Sequence, residues 1–178
     1  MAVPMRTTPP FNLQQWIEAN RQALAPPVGN RQVFPAGDFI IMVVAGPNAR
    51  RDFHVDPGAE FFYQLEGTLT LRTMQDGRPV DYAIGPGSVF LLPPFVPHSP
   101  QRPAGSIGLV VERRREAAER DGFQWYCESC HALLHEEQIA LTNIETELQP
   151  VFDRFYADRA RRTCRACGTV LEPPTPPR

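Results

Sequence analysis

The order of apolar and polar positions changes period along the chain. Phe11, Leu13, Trp16, Ile17 and Leu24 recur at roughly helical spacing behind Asn12, and predict one amphipathic helix capped by Asn12 and stopped by Ala25-Pro26-Pro27. From there to about Arg114 the signal becomes short apolar runs broken by Gly, Pro and Asp, at residues 39–45, 60–65, 68–74, 80–84, 88–92 and 107–111. Asp76-Gly77 reads as a hairpin turn and Gly85-Pro86-Gly87 as another turn. Many short strands at close spacing, with Pro confined to turns and edges, predict a mainly β sandwich or barrel. The charged stretch 112–121 reads as a linker that ends the strand region. Beyond it, Leu148, Val151, Phe152, Phe155 and Tyr156 fall on one helical face, and residues 173–178, with four prolines, read as a disordered tail.

The 178 residues fit one globular domain, or one domain with a small appendage. A hydrophobic fraction of 42% excludes an intrinsically disordered chain, and no apolar stretch approaches the roughly 20 residues of a membrane span. The N-terminus MAVPMRTTPP has no apolar segment behind its charge, so the expected compartment is the reducing cytoplasm. A net charge of -2 argues against a phosphate-driven nucleic-acid binder. All 18 basic residues are Arg, a bias GC-rich codons explain, yet Arg also offers the planar fork that pairs with a carboxylate.

His54, Glu60 and His98 are the residues best suited to hold a catalytic metal. His54 and Glu60 flank a Pro57-Gly58 turn, and His98 follows the stiff run Pro93-Pro94-Phe95-Val96-Pro97. Two imidazoles and one carboxylate leave the opposite face of the ion open, the arrangement of non-haem Fe(II) oxygenases. Glu60, six residues, then Gly67 is similar to the end of the first cupin motif. Gly87, five residues, Pro93, four residues, then His98 is similar to much of the second. Asp56, Phe95 and Arg102 depart from those motifs, leaving three ligands rather than four. Arg50 lies four residues before His54 and Arg102 four after His98, a spacing that suits a carboxylate clamp beside the metal, with Arg51 the alternative to Arg50. Glu112 lies either on one face with Val110 and Gly108, in reach of a polar substrate group, or turned out to pair with Arg113 to Arg115.

Cys127, Cys130, Cys164 and Cys167 form two CxxC pairs 33 residues apart, the pattern of a tetrahedral thiolate site that takes zinc or iron. With His131, the first pair also matches a CxxCH haem attachment. That reading is discounted, because it leaves Cys164 and Cys167 without partners.

The segments Gly46-Pro47-Asn48, Arg50, Asp52-Phe53-His54, Glu60-Phe61-Phe62-Tyr63-Gln64-Leu65 and His98-Ser99-Pro100-Gln101-Arg102-Pro103 together resemble the 3-hydroxyanthranilate 3,4-dioxygenase family. Val28-Gly29-Asn30-Arg31, Leu109-Val110-Val111-Glu112-Arg113 and Trp125-Tyr126-Cys127 extend the likeness over nearly the whole chain. The resemblance implies a cupin (jelly-roll) barrel over residues 1–115 and a rubredoxin-like four-Cys extension over 116–172. It implies Fe(II) on His54, Glu60 and His98, and a second iron, or zinc, on the cysteines. It further implies that Arg50 and Arg102 grip the substrate carboxylate, with Arg50 also meeting O2, and that Glu112 and Glu60 contact the substrate. The implied reaction is extradiol cleavage of 3-hydroxyanthranilate by O2 to 2-amino-3-carboxymuconate semialdehyde, the precursor of quinolinate. The implied partners are small molecules and a second copy of the chain, with no nucleic acid and no membrane.

Overall fold

The computed structural model describes residues 9–25 and 29–175. Helix α1 (Leu13–Asn20) begins where the capping signal places it: the Asn12 side chain accepts the Gln15 backbone N–H at 2.9 Å. Turns carry the chain on to Ala25; Pro26 and Pro27, expected to stop the helix, lie outside the described residues, as do residues 1–8, Val28 and the last three of the expected tail. Ile17 and Leu24 pack on Val43, Ala45 and Ile107, so the helix seals one outer face of the β structure.

Eleven strands follow: β1 (Asn30–Gln32), β2 (Phe39–Ala45), β3 (Asp52–Val55), β4 (Glu60–Glu66), β5 (Leu69–Gln75), β6 (Arg78–Ile84), β7 (Val89–Leu92), β8 (His98–Gln101), β9 (Ile107–Arg113), β10 (Asp121–Tyr126) and β11 (Leu133–Ile139). They form a five-stranded sheet, β1-β2-β9-β4-β7, and a six-stranded sheet, β11-β10-β3-β8-β5-β6, antiparallel throughout. The six predicted apolar runs are β2, β4, β5, β6, β7 and β9. At the β5–β6 hairpin, Asp76 and Gly77 both take positive φ, 49° and 73°, as a two-residue primed turn requires.

Period-2 alternation turns Ile40, Met42, Phe62 and Val110 of the first sheet toward Leu69, Leu71 and Ile84 of the second, and this layer is the core. The same alternation makes two facing ladders across β4 and β9: Glu60 opposite Glu112, Phe62 opposite Val110, Gln64 opposite Gly108.

Strand pairing continues past the expected linker. Residues 114–120 are only a loop, after which β10 pairs with β3 and sets Phe123 opposite His54, and β11 adds the sheet edge. Helix α2 (Leu148–Ala157) buries Val151 and Phe155 against Phe123, Trp125 and Leu171. The short α3 (Arg159–Arg162), capped by the Asp158 side chain on the Ala160 N–H, leads into Cys164.

Candidate active site and metal centres

His54 on β3 and His98 on β8 are register partners in one sheet, and Glu60 opens β4 in the facing sheet. The Pro57-Gly58 turn carries the chain between the sheets, pinned where Asp56 accepts the Gly58 N–H at 2.6 Å. All three side chains are buried, and their ligating atoms lie within 4.8 Å of one another.

The hydrogen bonds behind the two imidazoles select their tautomers. His98 Nδ1 lies 3.0 Å from the Val96 carbonyl, which only accepts, so that nitrogen carries the proton and Nε2 turns its lone pair to Glu60. His54 Nε2 lies 2.7 Å from the Asp121 carboxylate, leaving Nδ1 facing Glu60 at 3.5 Å. Glu60 Oε1 is 2.9 Å from His98 Nε2, yet buried without an aligned hydrogen-bond partner. Two inward imidazole nitrogens and an orphaned carboxylate oxygen are a donor set that fits a divalent cation. Electrostatics agree. Burial opposes charge on His54, but Asp121 and Glu60 outweigh it and raise the imidazole to about 10. Glu60 is held well below the usual carboxylate range by His98 and His54 despite its burial. The site thus favours positive charge at its centre, a proton on His54 or a cation that displaces it.

A second ring of charge stands behind the cluster. Buried Arg115 reaches Asp56 at 2.8 Å, Glu112 Oε1 at 2.8 Å and Asp121 at 3.0 Å, tying β9 and β10 to the ligand-bearing turn. Glu112 therefore faces inward with Val110 and Gly108 rather than out to solvent, and Arg115 takes one of its oxygens there. The other, Oε2, is buried and unpartnered, and burial together with Glu60 pushes Glu112 up to about 8.

Arg102 is 3% exposed and has no carboxylate partner among the described residues. Its guanidinium reaches only the Gln64 amide oxygen at 3.3 Å, its Nε bonds nothing, and burial with the neighbouring charge of Arg50 lowers it to about 10. One glycine makes room for its guanidinium and another for the backbone that carries it. A Cβ on Gly108 would stand 3.0 Å from Arg102 Nη1, and one on Gly46 would stand 2.1 Å from the Pro103 carbonyl. Arg50 is held by Asp52, with Nε to Oδ1 at 3.1 Å, and lies over the Phe152 ring at 5.7 Å. Arg51 instead pairs with Glu128 at the surface at 3.1 Å. Asp52, Gln64, Arg115, Asp121 and Phe152 were not singled out as site residues from the sequence; Phe123 and Trp125, spaced two apart around Gln124, are the period-2 signal that marks β10 as a strand and puts Asp121 on the same inward face.

The four Sγ atoms lie within 4.8 Å of one another, with Cys127–Cys167 and Cys130–Cys164 at 3.5 Å. The two CxxC turns repeat each other. Cys127 N–H donates to Ala132 O and His131 N–H to Cys127 O, while Cys164 N–H donates to Thr169 O and Gly168 N–H to Cys164 O. His131, at φ 60°, occupies the place that Gly168 fills at φ 79°. Four thiolates so placed suit one tetrahedral ion, and leave none for haem.

Clefts of about 430 Å³ beside Thr73, Tyr82, Phe90 and Phe95, and of about 210 Å³ between Ile40, Arg115, Leu141 and Ile144, are present; only the second touches the charged ring.

A two-sheet barrel with an inward His–Glu–His cluster able to hold a metal ion, beside the buried Arg102, defines an enzyme of the cupin class. The profile of the 3-hydroxyanthranilic acid dioxygenase family matches residues 5–156, and the chain belongs to that family. A 3-hydroxyanthranilate 3,4-dioxygenase of Xanthomonas campestris pv. campestris (strain B100) is 55% identical over 166 residues, covering 93% of this chain and 94% of that protein. One from Shewanella woodyi is 46% identical over 168 residues, covering 94% and 89%. Among solved structures, a cupin-2 domain containing protein from Shewanella frigidimarina aligns with a TM-score of 0.44 at 18% identity, over 58% of this chain and 100% of that one.

Proposed function

We infer that the protein catalyses the reaction for which its relatives are named, opening the ring of 3-hydroxyanthranilate with O2 to give 2-amino-3-carboxymuconate semialdehyde, which closes to quinolinate. The feature of the site that supports this most is Arg102, a buried cation with no carboxylate partner beside a three-residue metal cluster. A guanidinium in that state favours an incoming carboxylate over water.

His54, Glu60 and His98 would hold Fe(II), which when bound supplies open positions where a chelating aminophenol and O2 meet. Arg102 and Arg50 take the carboxylate and set the register of the ring, with Arg50 also bordering the O2 position. Phe62 and Val110 lie between the arginine end and the carboxylate end of the ladders, where an aromatic ring belongs. Glu112 Oε2 accepts from the amino or hydroxyl group, and Glu60 borders the same edge. Asp121 and the Val96 carbonyl keep the imidazoles aimed. The test is an anaerobic, Fe(II)-loaded sample mixed with 3-hydroxyanthranilate and O2. Semialdehyde absorbance with stoichiometric O2 uptake supports the reading; neither appearing sinks it.

The cysteine site reads as iron by resemblance to bacterial relatives, and its role as structural. The purified protein should show rubredoxin-like absorption bands and no Soret band. A colourless protein with zinc at the cysteines would correct the metal and keep the site. We propose a division of labour rather than of fold, with residues 1–115 carrying the barrel ligands and 116–172 the cysteine clamp. The compartment is the cytoplasm, where thiols stay reduced; among the described residues no helix is long and apolar enough to cross a membrane.

Two copies pair as a homodimer. The outer face of the first sheet supports this: Phe39, Phe61, Val89 and Leu91 stand exposed on β2, β4 and the edge strand β7, with Val89 at 62% and Leu91 at 65%. Light scattering should give twice the 20.0 kDa chain mass, and Leu91→Glu should shift it toward one copy.

A further inference from the structure

Helix α2 touches the substrate site as well as its own core. The Phe152 ring lies under the Arg50 guanidinium, 5.7 Å from centroid to Cζ, and packs edge-on against Phe123 at 6.0 Å and Trp125 at 6.4 Å. Phe123 in turn stacks on His54 at 5.3 Å. Phe152 therefore joins Arg50 to the ring that backs a metal ligand.

The way Arg50 is held matters to what it can bind. Asp52 takes Nε and one hydrogen of Nη2, the side edge of the fork. An aromatic face attracts a cation without using any N–H. With the side edge on Asp52 and the flat face on Phe152, the Nη1/Nη2 end of the fork is the part left for a carboxylate, presented at a fixed angle. Asp52 alone would leave the plane free to turn about that edge.

The four-cysteine module sets where Phe152 stands. Phe155 of α2 stacks on Trp125 at 4.2 Å, and α3 runs directly into the second CxxC turn, where the Leu171 N–H reaches the Arg162 carbonyl at 2.9 Å. The first CxxC turn is anchored beside Arg50 through the Arg51–Glu128 pair at 3.1 Å, and the two turns meet where Thr169 bonds Ser129 at 3.1 Å.

We propose that Phe152 is a positioning residue for Arg50, and that through α2 the four-cysteine module is a working part of the carboxylate-binding site. This rests on the reading of Arg50 as a carboxylate ligand. The test compares Phe152→Leu, Phe152→Tyr and Arg50→Ala as holoenzymes, measuring KM and kcat for 3-hydroxyanthranilate, its anaerobic Kd, and metal content at both sites. Phe152→Leu keeps bulk but loses the ring; it should raise KM and Kd about 3- to 30-fold with both metals retained. Phe152→Tyr restores the ring face and should return both constants to near the parent values. Unchanged constants in Phe152→Leu, or an equal rise in Phe152→Tyr, overturn the proposal. If Arg50→Ala itself leaves KM unchanged, the reading of Arg50 has failed; if it raises KM while Phe152→Leu does not, only this inference has. Cys167→Ala tests the module: its KM increase should largely vanish in a Phe152→Leu background, whereas additive increases would break the link between the module and Arg50.

Discussion

Arg102→Ala raises KM for 3-hydroxyanthranilate by about 30-fold or more, since truncating one side of a buried charge pair costs about 2–5 kcal/mol. The same change leaves Tm within about 4 °C of the parent, about 1 kcal/mol for a chain of this length. The two effects separate because the free protein gains little from this side chain. Its guanidinium is buried with one neutral partner at 3.3 Å and an unbonded Nε, and burial lowers its pKa to about 10. Removing it relieves an uncompensated charge and leaves a void, two terms of opposite sign. Steady-state kinetics beside a thermal melt checks both halves. An unchanged KM would take Arg102 out of the substrate site, and a melt lowered by more than about 10 °C would make it a structural residue.

His54→Ala should lose catalytic iron and activity together, with kcat reduced about 10³-fold or more, because several kcal/mol of metal-derived stabilisation disappear at once. The cysteine metal should remain, since neither CxxC turn takes a hydrogen bond from His54. Metal analysis that finds the catalytic ion still present in stoichiometric amount would refute the ligand assignment. Asp121→Asn gives the graded version: the side chain keeps its place but no longer fixes the His54 tautomer as a carboxylate does, and iron affinity should fall about 10- to 100-fold.

The six apolar strands and both longer helices were readable in the sequence because a side chain facing a core must be apolar and a turn must hold Gly, Asp or Pro. The strands that carry the two histidines were not. β3 is Asp-Phe-His-Val and β8 is His-Ser-Pro-Gln, four residues each, polar where they face the site. Their strand character comes from pairing with each other and with β5 and β10, which no local pattern records. β10 hid for a related reason: it follows a charged loop, and its first inward residue is the carboxylate that orients His54. The ligand trio and the cysteines were legible because few residue types can hold a metal. Arg102 was legible as a position, but its lack of a counter-charge appears only once Gln64 and Gly108 are seen to surround it. Phe152 looked like one more apolar residue on a helical face, and nothing in its spacing hinted that an arginine lies over it.

The facing ladders of β4 and β9 divide the barrel interior into unlike ends. One holds the carboxylates of Glu60 and Glu112, and the other, four residues of strand and so about 13 Å away, holds Arg102 against Gln64 and Gly108. Between them lies the single apolar rung of Phe62 and Val110. The barrel interior is thus polarised along this ladder, with carboxylates at one end and a guanidinium at the other. An acid group turned toward the Glu60 end would meet like charge. If Arg102 takes the carboxylate of the proposed substrate, whose acid, amino and hydroxyl groups stand on neighbouring ring carbons, this field would set which way round the ring enters before any bond is broken.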